Sequence, residues 1–314
     1  MLRFLGMRLA QLVVVVLAVT LLFYWLLNLL PGNPCVAVLG AGATPDQIGE
    51  CERDRNLGDP VLVQWAKWGT DTLTGDLGKS YLTGRSFGEA VGNALPRTLL
   101  LLGYSQVLAL GVAIPLGLWA GYRQGKAVDK IASGGAFVAL SMPVFVLGMV
   151  LILVFTVYLG WFELGGYRPI SSGLVAHAKV MLLPSITLAA GLLPVYLRLL
   201  RTDVIDTLQE DFVGTARAKG LPVRHVLLRH VLRPSSFTLL TVFGIQAAQA
   251  MNAAIVVEFL FDLDGVGSLL VSWVAAREFL LVQTLVAVIA VAFVAVATVV
   301  DLLYAVLDPR VRRR

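Results

Sequence analysis

The chain has 314 residues, of which 58% are hydrophobic and only 14% are charged, and its mean hydropathy is +0.81. Because a soluble domain usually carries about 25% charged residues, this composition excludes an ordinary water-soluble protein and indicates an integral membrane protein. The net charge of +5 does not indicate nucleic-acid binding, since the basic residues cluster beside apolar segments and in the C-terminal tail.

Six apolar stretches are long enough to cross the hydrocarbon region as helices, which takes about 20 residues. They are 9–30, 98–120, 132–159, 180–200, 236–258 and 280–307. The first is longer than the apolar core of a cleaved signal peptide, which has about 7–15 residues, so we expect it to remain as a transmembrane helix. The prolines in the third and fourth stretches are expected to produce kinks, which neighbouring helices can accommodate.

The distribution of Lys and Arg predicts the orientation, because these residues are enriched in cytoplasmic loops. With the N-terminus inside, the inner segments hold sixteen of them and the outer segments nine. Most of the outer nine are spread over 31–97 among acidic residues. Both termini are therefore predicted to lie in the cytoplasm.

The outer segment 31–97 is too long for a simple connector and contains its own aromatic and apolar residues. We expect a small helical subdomain there. The only two cysteines, Cys35 and Cys51, both lie in this segment. In an oxidising compartment they would form one disulfide, and two free thiols are the alternative.

The inner segment 201–235 is predicted to contain a short helix that begins near Asp203 and is stopped by Gly220 and Pro222. Helical spacing gives it one apolar stripe, formed by Val204, Leu208, Phe212, Thr215 and Ala216. A basic amphipathic run follows, with Arg224, His225, Arg229, His230 and Arg233. Two interpretations are open: an interfacial helix lying on anionic lipid, or an apolar knob presented to a cytoplasmic partner.

Three amide side chains, Gln246, Gln249 and Asn252, step by three residues along the fifth apolar stretch and share a face about 120° wide. Unpaired amides are costly in lipid, so this face must meet protein or water. Hydrogen bonding at a helix–helix interface and lining of a translocation pathway are the two interpretations. The three histidines lack metal-ligand spacing, so no metal site is predicted, and we expect them to be solvated.

Short motifs occur in a fixed order from one end of the chain to the other. They are Leu30-Pro31-Gly32-Asn33-Pro34, Asn56-Leu57-Gly58-Asp59-Pro60, Gln64-Trp65, Gly75-Asp76-Leu77-Gly78-Lys79-Ser80, Ser141-Met142-Pro143, Asp211-Phe212-Val213 with Gly220, Arg229-His230-Val231-Leu232-Arg233 and Asp308-Pro309-Arg310. With these motifs at these spacings, the chain resembles the B-type permease subunits of dipeptide, oligopeptide and nickel importers of the ATP-binding-cassette (ABC) class.

The resemblance implies an all-α membrane protein with six transmembrane helices, as in type I ABC importers, and a small extracytoplasmic helical subdomain. Segment 1–30 would be the N-terminal segment and first helix, 31–97 the subdomain, and 98–314 a five-helix core containing the coupling loop 201–235. The whole chain would form half of a translocation pathway for peptides in a bacterial plasma membrane. Cargo in this class includes dipeptides, longer peptides, nickel chelates and glutathione, and the binding protein largely selects among them.

The implied partners are a second permease subunit, two ABC ATPase subunits and an extracytoplasmic solute-binding protein, besides membrane lipid. ATP and Mg²⁺ would be used by the ATPase subunits, so this chain is expected to be non-catalytic and to bind no cofactor. Gly78-Lys79-Ser80 matches only the end of a phosphate-binding loop, because Leu73 stands where the first glycine is required.

The resemblance also implies that 203–221 contains a coupling helix, which seats in a groove on an ATPase subunit. The expected coupling residues are Asp211, Phe212, Thr215, Ala216, Arg217, Lys219 and Gly220. The family's Glu-Ala-Ala-x-x-x-Gly signature falls on 214–220, where Gly214 replaces the acidic residue, and the Leu-Pro that is usual near 236–238 is absent.

Two other classes of membrane protein are expected to show features that differ from those of this sequence. A secondary transporter or channel acting alone is expected to show internal repeats, discontinuous helices or buried ion-coupling residues, and none is evident in the sequence. An intramembrane protease needs paired acids or a Ser/His pair at membrane depth, and the sequence offers neither.

Overall fold

The computed structural model describes residues 2–29, 33–40, 42–54, 57–80 and 82–307, and within these ranges its regular elements are all helices. The chain divides into two compact units, Met1–Pro96 with Gly265–Ala295 and Arg97–Asp264 with Val296–Arg314. Parts of the sequence motifs, namely Leu30-Pro31-Gly32, Asn56 and Asp308-Pro309-Arg310, lie outside the described residues.

The helices begin and end as follows. They are α1 Leu2–Asn28, α2 Pro34–Leu39, α3 Pro45–Asp54, α4 Val61–Thr74, α5 Phe87–Tyr122, α6 Ala127–Ser141, α7 Val144–Leu151, α8 Leu174–Thr207, α9 Asp211–Ala218, α10 Val223–His225, α11 Leu232–Phe261, α12 Val266–Ala275 and α13 Phe279–Leu307. Two π-helical turns, Ile152–Tyr158 and Val226–Val231, continue α7 and α10, and a 3-10 turn Ile170–Ser172 precedes α8.

Four helices are long and apolar enough to cross a membrane: Phe87–Tyr122, Leu174–Thr207, Thr238–Phe261 and Phe279–Thr298. A fifth span results if the bent pair α6–α7 is counted as one. In α1, the described apolar stretch Ala10–Leu26 is shorter. The expectation of an all-helical membrane protein is thus confirmed, with four to five candidate spans.

The third apolar stretch is not the kinked helix that we expected. Its two halves, Ala127–Ser141 and Val144–Tyr158, meet at an angle of 99°. Met142 has an extended backbone (φ −100°, ψ 125°), which is the conformation favoured for a residue that precedes proline. Pro143 therefore ends α6, whereas Pro184 and Pro194 lie inside the uninterrupted α8.

In the second unit, α5 and α8 approach closely at Gly117 and Gly121. A Cβ atom built on Gly121 would lie 2.6 Å from Cγ1 of Val204, and one built on Gly117 would lie 3.2 Å from Cδ2 of Leu200. Small residues four apart allow such close approach of helices in membranes. This pair was not predicted, although its Gly-x-x-x-Gly spacing is a recognisable signal in the sequence.

In the first unit, α4 is held by indole hydrogen bonds. Trp65 Nε1 donates to Thr20 Oγ1 of α1 (3.2 Å), and Trp68 Nε1 donates to Thr284 Oγ1 of α13 (3.1 Å). The sulfur atoms of Cys35 and Cys51 are joined in a disulfide, with their Cα atoms 5.9 Å apart. The bridge connects α2 to α3, and both half-cystines are buried.

The Gly78-Lys79-Ser80 segment is a loop whose polar groups are bonded within the first unit. Ser80 Oγ donates to Oε1 of the buried Glu278 (2.6 Å), and the backbone N–H of Leu82 donates to the same oxygen (3.2 Å). A Cβ on Gly78, which has φ +89°, would lie 3.3 Å from Leu280. The serine hydroxyl is thus used to anchor the loop.

Candidate functional site

The predicted start of the coupling helix near Asp203 is wrong. Helix α8 continues through this position to Thr207, and α9 begins only at Asp211. Val204 is completely buried in α8, where it packs with Leu118 and Leu200. Helix α8 thus continues past the predicted apolar stretch 180–200, and a turn at 208–210 separates it from α9.

Because of that turn, the predicted apolar stripe does not lie on one helix. The buried face of α9 consists of Val213 (0% exposed) and Ala216 (5% exposed). Both belong to a cluster that also contains Val226, Leu227 and Val231 from the following segment. Apolar burial therefore fixes α9 against its neighbours in the second unit.

Phe212, one turn before Ala216, lies at the edge of this buried face, and 45% of its surface is exposed. Of the predicted coupling residues, the buried one is Ala216, and the exposed ones are Asp211, Phe212, Thr215, Arg217, Lys219 and Gly220. The hydroxyl of Thr215 donates to the carbonyl of Asp211 (3.0 Å), so it is used within the helix. The outer face of α9 thus presents one aromatic ring among charged side chains.

Gly220 ends the segment with φ +74°, and its N–H donates to the carbonyl of Arg217 (2.9 Å). A left-handed glycine after the last helical turn is a common helix C-cap. A Cβ at Gly220 would have no atom within 4 Å. A side chain here would therefore not be crowded, and its cost comes from the positive φ.

Gly214 occupies the position where the family signature has an acidic residue. It is exposed in the middle of α9, and a Cβ there would meet nothing within 4 Å. An acidic side chain would fit at this point without rearrangement. The departure from the signature changes the chemistry of the outer face and leaves the packing unaltered.

An ion pair between a half-buried arginine and a buried carboxylate supports the end of α8. Arg201 donates from Nη2 to Asp129 Oδ2 (2.8 Å) and from Nε to Asp129 Oδ1. The carboxylate, which is 6% exposed, also accepts from the N–H of Gly125 (2.8 Å) and the hydroxyl of Ser133 (3.3 Å). The pair ties the first turn of α6 to the last turns of α8. This pair was not predicted: Arg201 entered only the count of basic residues that sets the orientation, although Asp129 stands near the start of an apolar stretch in the sequence.

The three amides of α11 are not equivalent. Gln246 is buried (7% exposed), whereas Gln249 and Asn252 are exposed. The exposed pair continues a stripe at spacings of three and four residues, formed by Ile245, Gln249, Asn252, Val256 and Phe259. An amide on the exposed face of a candidate span needs water or protein, because lipid cannot satisfy its hydrogen bonds.

The expectation that all histidines are solvated is wrong for His177. This side chain is 4% exposed, its Nδ1 lies 2.6 Å from the carbonyl of Arg168, and its Nε2 lies 3.1 Å from the hydroxyl of Tyr104. Both ring nitrogens thus have partners on α5 and in the loop before α8. His225 is exposed, as expected.

Comparison with known proteins accounts for almost the whole chain. Residues 113–313 match the family described as "Binding-protein-dependent transport system inner membrane component", and residues 1–101 match the N-terminal family of such membrane components. The chain is 32% identical to a putative peptide transport system permease protein of Brucella abortus, over 97% of both chains.

Two further relatives show the same full-length similarity. The oligopeptide transport system permease protein AppB of Bacillus subtilis is 30% identical over 95% of both chains. The glutathione transport system permease protein GsiC of Salmonella paratyphi A is 32% identical over 99% of both chains. The resemblance inferred from the motifs is confirmed: the chain belongs to the family of binding-protein-dependent transport system inner membrane components, and it is a non-catalytic permease subunit of such a system.

Proposed function

We propose that this chain forms half of the translocation pathway of an ATP-driven peptide importer, with six transmembrane helices and both termini in the cytoplasm. The relatives named above are permeases for peptides, an oligopeptide and glutathione, and glutathione is itself a small peptide. The observation that carries the proposal is the outer face of α9, where an exposed aromatic ring stands on a helix that is firmly packed from behind.

Helix α9 is the proposed coupling helix. An aromatic side chain that enters a partner's pocket is the usual form of an interface hot spot, and Phe212 is half exposed on this helix. Asp211, Arg217 and Lys219 surround the ring with charges that would set the orientation of the contact. Helix α9 would seat in a groove on an ABC ATPase subunit. That subunit would bind and hydrolyse ATP with Mg²⁺.

The packing behind α9 provides a route from the ATPase to the spans. Val213 and Ala216 share one cluster with Leu118 of α5 and with Leu200 and Val204 of α8. Close-packed side chains transmit displacement because they have no room to yield. A movement of α9 is therefore passed to α8 and α5. The Asp129–Arg201 pair extends this connection to α6.

The exposed amides of α11 are the proposed lining of the pathway. Gln249 and Asn252 can each donate and accept hydrogen bonds, so they can match the amide and carbonyl groups of a peptide backbone. We assign the lining to these two residues and leave Gln246, which is buried, to packing. A cysteine at position 252 should react with a water-soluble thiol reagent, whereas one at Phe137, 72% exposed on α6, should react slowly in lipid.

The complete importer would contain a second permease subunit, two ATPase subunits and an extracytoplasmic solute-binding protein. The alternative is a secondary transporter or channel that works without ATPase partners. The two functions differ in what the isolated chain can do. A tagged copy expressed in its native host should co-purify with the ATPase subunits and the second permease, identified by mass spectrometry.

The deciding experiment is peptide uptake into proteoliposomes. Uptake should require the whole complex, the loaded binding protein and ATP, and the verified lone chain should neither hydrolyse ATP nor transport peptide. Ion-driven or passive peptide transport by the lone chain would instead establish the alternative. ATP hydrolysis by the lone chain would contradict the assignment of the chemistry to partner subunits.

A further inference from the structure

A small basic cavity lies on the segment that leads from α9 to α11. Its volume is about 280 Å³, and its walls are formed by Pro222, Arg224, His225, Leu228 and Arg229. Two arginines and one histidine thus contribute to one concavity, mainly through their carbon atoms, and no carboxylate lines it. The volume is at the lower limit for small-molecule sites, about 300 Å³, and is suited to a compact ligand.

Arg224 and His225 lie in α10, and Arg229 and His230 lie in the π-helical turn Val226–Val231 that follows it. Arg224 and Arg229 are five residues apart, so an α-helix would direct them about 140° from each other. Hydrogen bonding from i to i+5 widens the turn and returns the chain to nearly the same direction after five residues. The ring centroids of His225 and His230, also five apart, are only 5.7 Å from each other. The two histidines therefore lie close together, and the arginine that precedes each of them is exposed.

The backbone beneath the cavity is fixed. Val226, Leu227 and Val231 are buried in the same cluster that holds α9. The inner face of the π-helical turn is thus packed, while Arg224 and Arg229 are exposed on its outer face. A site whose positive groups stand on a packed scaffold loses less entropy on binding than one on a free loop.

The two arginines are available for a ligand. The ion pairs found within the described residues are formed by other side chains, and neither Arg224 nor Arg229 takes part in one. Planar guanidinium groups bind phosphate oxygens in a bidentate manner, and this gives both charge and geometric selectivity. Leu228 (50% exposed) and Val223 (44% exposed) add apolar surface next to the charges.

We infer that this cavity binds a phosphate group, carried either by the headgroup of an anionic phospholipid or by a soluble phosphate ester. A phosphodiester would place its oxygens between Arg224 and Arg229. Leu228 and Val223 would contact the apolar part of the molecule that carries it. The inference does not depend on the identity of the transported solute or on the coupling role of α9.

The experiment uses the full-length chain in an uncharged detergent and native mass spectrometry to measure binding. The probes are dioctanoyl-phosphatidylglycerol, dioctanoyl-phosphatidylcholine and glycerol 1-phosphate. The variant Arg224→Gln/Arg229→Gln should lower the apparent affinity for phosphatidylglycerol about tenfold, because it removes two charge-assisted contacts. The control Lys126→Gln/Lys130→Gln removes the same charge from two exposed positions of the second unit and should bind like the wild type.

The three probes separate the two sources of the phosphate. Selective binding of phosphatidylglycerol that the arginine variant loses supports a lipid headgroup, and comparable binding of glycerol 1-phosphate supports a soluble ester. An equal loss in the lysine control would show that only net charge matters and would overturn the site. Wild-type binding by the arginine variant would also overturn it, and weakened ATPase retention in that variant would then identify the cavity as a protein contact.

Discussion

Truncation of Phe212 to alanine tests the proposed coupling contact most directly. A large aromatic side chain buries roughly 150–250 Å² when it is fully enclosed, and 45% of Phe212 is still exposed. A partner's pocket could therefore cover about 90 Å² more, which is worth about 2 kcal/mol at roughly 25 cal/mol per Å². This energy corresponds to a loss of affinity for the ATPase of about 30-fold.

The variant should leave the permease itself intact. Val213 and Ala216 hold α9 in place from the buried side, and the cluster to which they belong is formed without Phe212. Insertion into the membrane and binding of the loaded solute-binding protein should remain normal. Retention of the ATPase subunit, solute-stimulated ATP hydrolysis and uptake should fall together.

The assay is co-purification of the ATPase with tagged permease over a range of dilutions, with uptake measured on the same preparations. Leu73→Ala is a matched control, because Leu73 is a large apolar residue that is 89% exposed on α4 in the other unit. The reasoning is refuted if Phe212→Ala retains the ATPase and transports like the wild type. A loss of the same size in Leu73→Ala would show that the assay reports general damage to the surface.

Three further predictions concern other parts of the structure. Gly220→Leu should destabilise the end of α9 by about 1–3 kcal/mol because of its positive φ, and weaker ATPase retention with normal insertion would be the sign. Gly121→Ala should lower the stability by about 1–3 kcal/mol through overpacking of α5 against α8, and this should lower the melting temperature in detergent. The control Gly111→Ala, whose Cβ would meet nothing within 4 Å, should leave the melting temperature unchanged. The Cys35–Cys51 bridge joins residues separated by 16 positions and should stabilise its subdomain by about 3 kcal/mol. The intact mass measured without reductant should be lower than that of the reduced chain by two hydrogens. Alkylation of both thiols without reductant would contradict the bridge.

Features that depend on composition were predictable from the sequence. Apolar length gave the positions of the candidate spans, and motif order gave the family, which the comparisons confirm. Both signals are local or linear, so they do not require knowledge of which side chains meet. The charge asymmetry that predicts the orientation is of the same kind, and it stays a prediction.

Features that depend on tertiary contacts were not predictable in this way. Helical periodicity joined Val204 to Phe212 on one stripe, but a three-residue turn separates their helices and only one of the two is buried. The amides of α11 share a face by spacing, yet packing covers Gln246 and leaves Asn252 exposed. In both cases burial by distant segments decided the outcome, and a single-helix pattern contains no information about those segments.

The ion pair between α6 and α8 was not predicted, for a related reason. Asp129 and Arg201 are separated by 72 residues, and each alone resembles an ordinary charge at the end of an apolar stretch. The bend at Pro143 was underestimated because a proline signals a break without giving its angle. Pairwise geometry of this kind emerges only when the helices are placed together.

Since only Val213 and Ala216 of α9 are buried, the other positions of this helix can be substituted without changing its buried contacts. Its scaffold requirements reduce to two small apolar side chains, and the remaining exposed positions are free to vary. Partner choice between related importers could therefore be rewritten by exchanging the exposed residues alone, in a permease whose transmembrane packing is left untouched. Gly214, which has open space around it, offers one more position at which such a redesign could add a charge.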